Sequence, residues 1–188
     1  IDTKKFIPLQ KDKNNKVLKI IHSPNHRGFK GTEFIIKAVN NLKNKGHNIE
    51  LMLLEGVANS EVARIMREEA DISIDQIIFQ GYALNAMEAM ASGLPVLGNL
   101  EDSNIIRLFN RYSFLSECPI ISVSPETLEK KLEELIVDPE LRKTRSLKGV
   151  EFVKKYHNYD SLADIFEIIL KRIDEEDKDL LSFYSPNK

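Results

Sequence analysis

Short apolar runs alternate along the chain with segments in which apolar residues recur every three or four positions. The runs predict five β-strands, at 17–22, 49–54, 71–78, 95–97 and 119–123. The helical spacing predicts helices, at 32–45, 60–70, 84–92, 105–110, from 125 onward, from 139 onward and at 161–173. Since the strand runs are apolar on both faces, the pattern is typical of an α/β fold, with a Rossmann-like parallel sheet and helices on both faces.

Helix starts and loops follow from a few punctuating residues. A Ser-Pro pair at 124–125 and an Asp-Pro pair at 138–139 each predict a capped helix start. Gly149 allows for a break inside the helix that follows the second pair. The two glycines and polar residues of 25–31 predict a loop between the first strand and the first helix.

The pattern also predicts how the chain is organised. Residues 1–16 form a polar interdomain arm or linker, 17–174 form the globular domain, and 175–188 form a polar tail. The chain starts at Ile1 with no initiator Met, which suggests a piece of something longer.

Composition narrows the class of protein. The 188 residues fit one domain better than two. Lys and Arg number 27 and Asp and Glu number 29, so a net charge of −2 argues against general nucleic-acid binding. One cysteine, Cys118, excludes an internal disulfide framework. No apolar run approaches the ~18 residues of a membrane helix.

The loop before the first predicted helix carries two cations. Arg27 and Lys30 stand beside Gly31, where free N–H groups and the helix dipole favour a phosphate or diphosphate. The residues alone leave open a plain solvated basic loop. His22 and His26 are further candidates for ligand contact, and Glu55 follows the second strand where a base would lie.

The second candidate site follows the third strand. Gln80, Gly81 and Tyr82 form a turn, and Glu88 lies on a short helix rich in Ala and Met. A buried carboxylate is costly unless donors satisfy it, and the hydroxyls of a ribose are suitable donors. Pairing with an internal Arg or Lys is the alternative, and the residues leave both open.

These segments carry a family resemblance. Residues 82–84 with 88–96 (YAL, then EAMASGLPV) resemble the donor-site signature of family-4-type, group 1 glycosyltransferases of GT-B fold. Residues 70–76 (ADISIDQ) are similar to one subgroup, and the basic loop resembles the other family hallmark. The resemblance covers nearly the whole chain and implies the C-terminal half of a GT-B fold.

The resemblance implies a role for each matching position. Catalytic roles fall on Gln80 and Glu88, where Gln80 stands in place of the family's sugar-contacting Glu and Glu88 holds the nucleotide ribose. The implied donor-binding residues are Arg27, Lys30, Gly31, Gly81, Tyr82, Ala83, Leu84 and Glu88. Arg27 matches the family spacing only approximately, and Ala83 replaces a glycine.

The implied function is donor binding in a retaining glycosyltransferase, with a UDP- or GDP-sugar as donor and neither cofactor nor metal. The acceptor, a glycan or lipid, would be bound mainly by a missing N-terminal domain, which could also make peripheral membrane contact. We therefore expect a cytoplasmic enzyme of cell-surface polysaccharide synthesis whose isolated domain is inactive. The alternative is a non-catalytic nucleotide- or sugar-binding module, with Gln80 marking a degenerate site.

Overall fold

The structure, a computed structural model, describes residues 1–9, 17–111 and 113–171, apart from the side chains of 165 and 168. Its strands are β1 (Leu18–His22), β2 (Ile49–Leu53), β3 (Ile72–Ile74), β4 (Val96–Gly98) and β5 (Ile121–Ser122). They form one sheet in the order β2-β1-β3-β4-β5, and each neighbouring pair is parallel. The predicted parallel α/β sheet is confirmed. The linker residues 10–16 and the predicted tail lie outside the described residues.

Helices connect the strands and extend the chain beyond β5. They are α1 (Arg27–Lys30), α2 (Thr32–Asn44), α3 (Asn59–Glu68), α4 (Leu84–Ala91), α5 (Asn104–Arg111), α6 (Leu128–Val137), α7 (Pro139–Tyr156) and α8 (Tyr159–Lys171). A short 3₁₀ turn, Leu115–Glu117, follows α5. The predicted helices are present, with most boundaries within two residues of the expected ones.

The sheet is covered on both faces, as its apolar strands predicted. On one face Ile20 packs with buried residues of α2 and α6. On the other, its neighbour Ile21 packs with buried residues of α3, α4 and α7. Successive strand residues point to opposite faces, so the interior strand β1 contributes to both cores.

Strand order sets the position of the site. From β1 the chain moves to β2 on one side, and then crosses back to place β3 on the other side of β1. In open parallel sheets ligands bind beyond the carboxyl ends of the strands where the connections diverge in this way. Here that point lies just after His22 of β1 and Ile74 of β3.

The predicted third strand, 71–78, is too long. Ladder pairing ends at Ile74, and the chain then turns toward α1, where the N–H groups of Ile77 and Phe79 donate to the carbonyls of Lys30 and Phe29. This pairing depends on a tertiary contact, so alternation of apolar and polar residues could not reveal it.

The predicted loop 25–31 contains a helical turn. His26 caps α1 by accepting from the N–H of Phe29, and Gly31 then adopts a left-handed φ of 74° before α2 begins. A Cβ at Gly31 would lie 2.4 Å from Cγ1 of Ile77. The corner therefore needs glycine both for its backbone conformation and for its packing.

Two details of the later helices differ from prediction. Helix α6 begins at Leu128 rather than 125, because Ser124 donates its backbone N–H to Oγ1 of Thr127 and does not cap the helix. Helix α7 runs through Gly149 without a break, and a Cβ there would lie 3.2 Å from Cβ of Met90. The glycine thus permits close packing of α7 on α4.

Residues 1–9 are partly integrated into the domain. Phe6 is buried in the core on the α4 side, and the amino group of Ile1 donates to the carbonyl of His157. Residues 1–9 therefore contact the domain, and their role as part of an interdomain arm or linker stays a prediction. No helix among the described residues is long and apolar enough to cross a membrane.

Candidate functional site

A buried ion pair lies at the point where the connections from the sheet diverge. Nζ of Lys30 is 2.5 Å from Oδ1 of Asp75, and the two side chains are 9% and 1% exposed. Nζ also donates to Oε1 of Gln76 at 3.1 Å. An ammonium carries three donors, and acceptors on the described residues account for two of them. Burying either charge by itself would cost much free energy, and pairing the two opposite charges makes their burial possible.

The same carboxylate reaches the predicted phosphate-binding turn. Oδ2 of Asp75 accepts from the backbone N–H of Ala83 at 3.0 Å, and Gln76 donates to the carbonyl of Gly81 at 3.2 Å. Gly81 has a φ of 105°, which favours glycine, and its N–H donates to the carbonyl of Asn99. The structure therefore joins Lys30 to the turn at 81–84 through two side chains.

The start of α4 keeps free donors. Ala83 makes no side-chain cap, and within the described residues the N–H groups of Leu84 and Asn85 have no hydrogen-bond partner. The N–H of Ala83, predicted to receive phosphate, is instead engaged by Asp75. An anion near this turn would therefore meet the N–H groups of the first helical residues.

His22 holds the start of α2 beneath this site. Nδ1 lies 2.9 Å from the carbonyl of Ile74, which only accepts, so Nδ1 carries the proton. Nε2 then accepts from the hydroxyl of Thr32 at 2.9 Å. Burial lowers the pKa of His22, so the imidazole is neutral. Both ring nitrogens are hydrogen-bonded within the protein, so neither is free to contact a ligand.

Arg27 faces away from this pair. Its guanidinium lies 2.6 Å from Glu33 and 2.7 Å from Glu55, and all three side chains are exposed. The hydrogen bonds that Arg27 donates to these carboxylates raise its pKa. The predicted cationic clamp is thus divided, because Lys30 and Arg27 each have carboxylate partners of their own.

Glu88 is buried, as its surroundings predicted, and its donor is an amide. Nδ2 of Asn59 lies 3.2 Å and 3.5 Å from the two carboxylate oxygens. Oδ1 of Asn59 accepts from Nζ of Lys5 at 2.5 Å. Burial raises the pKa of Glu88, and the positive charges of Lys5 and the amino terminus partly oppose that effect. Among the described residues Asn59 is the one hydrogen-bond donor to this carboxylate, which can accept further hydrogen bonds.

Gln80 is tied to the loop after β4. Its Oε1 accepts from the hydroxyl of Ser103 at 2.6 Å, and its Nε2 donates to the carbonyl of Glu101 at 3.4 Å. The same hydroxyl accepts from the N–H of Ile106 in the first turn of α5. Both ends of the amide have a use, so glutamine suits this position.

The side chain of Tyr82 packs against aromatic residues of α5 and α7. Its ring contacts Phe152 and Phe109 edge to face, and its hydroxyl lies 3.2 Å from Nε2 of His157. Burial raises the pKa of Tyr82. The side chain anchors the turn to α7, so only the backbone of Tyr82 could meet a phosphate.

The predicted residues therefore fall into four clusters rather than one, and Arg27 with Glu33 and Glu55 forms the first. Lys30 joins the 81–84 turn, Glu88 joins Asn59 and Lys5, and Gln80 joins Ser103. The sequence reasoning gave no role to Asp75, Asn59 or Ser103. Asp75 carried a usable signal, since a carboxylate directly after a buried strand is costly without a partner.

A concave region lies between α2 and α6, apart from the residues that the sequence predicted for the site. This groove of about 340 Å³ is lined by Phe34, Lys37, Ala38, Asn41, Pro125, Glu126 and Glu129. Within the part of the chain that the structure describes, no group of three His, Cys, Asp or Glu side chains is placed to hold a metal ion.

The sequence matches no protein-family model and no curated protein. The structure is similar to the C-terminal domain of LpcC, a glycosyl transferase group 1 family protein of Francisella tularensis, with a TM-score of 0.62 and 18% identity. That match covers 85% of this chain and 99% of the LpcC domain.

Two longer proteins share the fold. WaaG, a glycosyltransferase involved in lipopolysaccharide biosynthesis, matches with a TM-score of 0.58 and 19% identity over 83% of this chain and 48% of WaaG. Sucrose-phosphate synthase of Thermosynechococcus elongatus matches at 0.64 and 16% identity, over 92% of this chain and 51% of the synthase. The chain spans about half the length of each.

These likenesses define the class of fold. The chain has the Rossmann-like fold of the C-terminal domains of group 1 GT-B glycosyltransferases. The fold resemblance seen in the sequence is confirmed.

Proposed function

We propose that this chain is the donor-binding domain of a retaining glycosyltransferase and binds a nucleoside-diphosphate sugar. The observation that carries the proposal is the buried Lys30 ammonium, tied to the uncapped start of α4 in a fold shared with glycosyltransferase domains.

The diphosphate would lie between Lys30 and the start of α4. One ammonium donor and the N–H groups of Leu84 and Asn85 are available to its oxygens. The helix dipole adds positive potential at the same place. Fixed donors of this kind stabilise negative charge without reorganising, so they favour departure of the diphosphate as the sugar is transferred.

The ribose would lie against Glu88. Two vicinal hydroxyls could donate to the carboxylate oxygens that Asn59 only partly satisfies. Hydrogen bonds to the charged form lower a carboxyl pKa, so ribose binding would oppose the effect of burial. Glu55, whose loop lies beside Arg27, would border the base.

The rest of the reaction belongs to the larger protein we propose. A UDP- or GDP-sugar is the donor, and a glycan or lipid acceptor is bound mainly by an N-terminal domain. We propose a metal-independent, cytoplasmic enzyme of cell-surface polysaccharide synthesis, whose peripheral membrane contact, if any, lies in that other domain.

Calorimetric titration with UDP, GDP and their sugars tests donor binding. We expect a Kd of ~1 mM or tighter for one of the nucleotides, weakened at least tenfold by Lys30→Met or by Glu88→Ala. Lys45→Met is the matched control, since Lys45 lies beyond the opposite end of α2. Absence of binding to every probe, or binding that neither site variant alters, refutes the proposal.

Transfer by the isolated chain tests the division of labour. We expect the 188 residues to bind donor without transferring sugar to an acceptor. Measurable turnover by this chain alone would show that the acceptor site does not need a second domain.

A second candidate function is a non-catalytic nucleotide- or sugar-binding module. It is favoured by Gln80, which brings no negative charge and is hydrogen-bonded at both ends. In the longer protein, Gln80→Glu would place a carboxylate beside the Glu101 carbonyl. A large gain in transfer rate in that variant would favour a degenerate site, whereas no gain or a loss would favour a native glutamine.

A further inference from the structure

Asp75 is the least exposed charged group at the candidate site. It is 2% exposed and directly follows β3, the central strand, beside the carboxyl end of the neighbouring strand β1. Both carboxylate oxygens are used, one by the Lys30 ammonium at 2.5 Å and the other by the Ala83 N–H at 3.0 Å. One carboxylate therefore connects the Lys30 ammonium to the start of α4.

These two contacts belong to different elements. Lys30 ends α1, in the connection that follows β1, while Ala83 precedes α4, in the connection that follows β3. Gln76, next in sequence, repeats the link by bonding Lys30 and the carbonyl of Gly81. The backbone bonds from Ile77 and Phe79 to the carbonyls of Lys30 and Phe29 also join the two connections, but among the described residues it is Asp75 and Gln76 that join the ammonium itself to the turn.

Resting on the proposed function, we propose that Asp75 is a positioning residue that holds the Lys30 ammonium and the start of α4 at a fixed separation, as one receptor for a diphosphate. It acts through Lys30 and Ala83 and does not itself touch the ligand. A preorganised pair of donors avoids an ordering cost that separate loops would incur on binding.

The charge balance is consistent with this role. The Asp75 carboxylate lies 2.5 Å from the buried ammonium of Lys30 and offsets the cost of burying that charge. His22, which lies below on β1, is neutral and adds no competing charge. Glu33 and Glu55 face Arg27 rather than Lys30.

The test titrates inorganic pyrophosphate and UDP into the wild-type chain, Asp75→Asn and Asp138→Asn. The asparagine at 75 can keep its carbonyl oxygen as acceptor for the Ala83 N–H, and it then removes both the charge and the acceptor that face Lys30. Asp138→Asn is the matched control, because Asp138 also accepts from an N–H at a helix start but has no cation. A parallel nitrogen-15 NMR experiment follows the side-chain ammonium of Lys30.

We expect Asp75→Asn to weaken both probes by about the same factor, at least fivefold, and to abolish a slowly exchanging Lys30 ammonium signal. Asp138→Asn should change neither measurement. Wild-type affinity in Asp75→Asn, tighter binding, or weakening of UDP alone overturns the positioning role while leaving donor binding intact.

Two outcomes do not depend on the variant folding. In the wild type the Lys30 signal should be visible and should shift when pyrophosphate is added. A missing or unmoved signal in a chain that binds UDP contradicts the proposal. If the wild type binds neither probe, the positioning role and the proposed function fail together.

Discussion

Replacing Gly31 with alanine tests the corner that places Lys30 beside the sheet. The residue has a φ of 74°, and its new Cβ would lie 2.4 Å from Cγ1 of Ile77 and 3.1 Å from Cγ1 of Ile78. No real Cβ approaches a carbon so closely, so the turn between β3 and α4 or the α1–α2 corner must move.

The magnitude has two parts. A left-handed backbone costs a non-glycine residue about 1–2 kcal/mol. Overpacking a filled interior costs about 1–3 kcal/mol more. Gly56→Ala separates the two, since Gly56 has a φ of 65° with no atom within 4 Å of its Cβ position. We therefore expect Gly31→Ala to lower the free energy of unfolding by about 1–3 kcal/mol more than Gly56→Ala.

Urea unfolding followed by circular dichroism measures both variants. Equal losses of stability at the two positions would refute the packing at Gly31. As a further check, Ile77→Ala should cost less in the Gly31→Ala background than alone, because the smaller side chain relieves the clash. Additive losses would contradict that contact.

Three further predictions concern charged groups. Burial raises the pKa of Glu88, so the folded state binds the proton of this group more tightly than the unfolded state. The contribution of Glu88 to stability therefore falls as pH rises through the raised value. The stability of Glu88→Gln relative to wild type should be higher at pH ~7.5 than at pH ~4.5. Burial lowers the pKa of His157 to about 4, so the contribution of this group to stability is lost as pH falls from about 6.5 to 4. His157→Gln should flatten that part of the plot of stability against pH. An unchanged slope would contradict the burial of the His157 ring. Glu55 competes for Arg27, so Glu55→Gln should tighten pyrophosphate binding at low salt, with the gain shrinking at high salt; weaker binding would show that Glu55 helps the ligand.

Local patterns were enough to predict the sheet and most of its helices. Apolar runs at β1, β2 and β4 and the Asp-Pro start of α7 carry their structure in neighbouring residues. The end of β3 could not be found in this way, since the N–H groups of Ile77 and Phe79 donate to carbonyls of α1. The sequence predicted that Ser124 caps the helix after it. In the structure the backbone N–H of Ser124 instead donates to Oγ1 of Thr127, and that bond depends on the local backbone conformation.

The candidate site was predicted in part. A costly carboxylate at Glu88 followed from its Ala- and Met-rich helix, and the structure shows it buried. Its partner Asn59 is the first residue of α3, 29 positions earlier in the chain, and no local pattern specifies that contact. The division of Lys30 from Arg27 likewise depends on where Asp75 and Glu55 arrive in the fold.

Amide NMR during titration with UDP tests the central claim most directly, because it locates the ligand on the protein. We predict that the largest shifts fall on the N–H groups of 31–33 and 82–85, at the carboxyl ends of β1 and β3. Shifts concentrated instead at 37–41 and 125–129, which line the groove between α2 and α6, would contradict the assignment of the donor site.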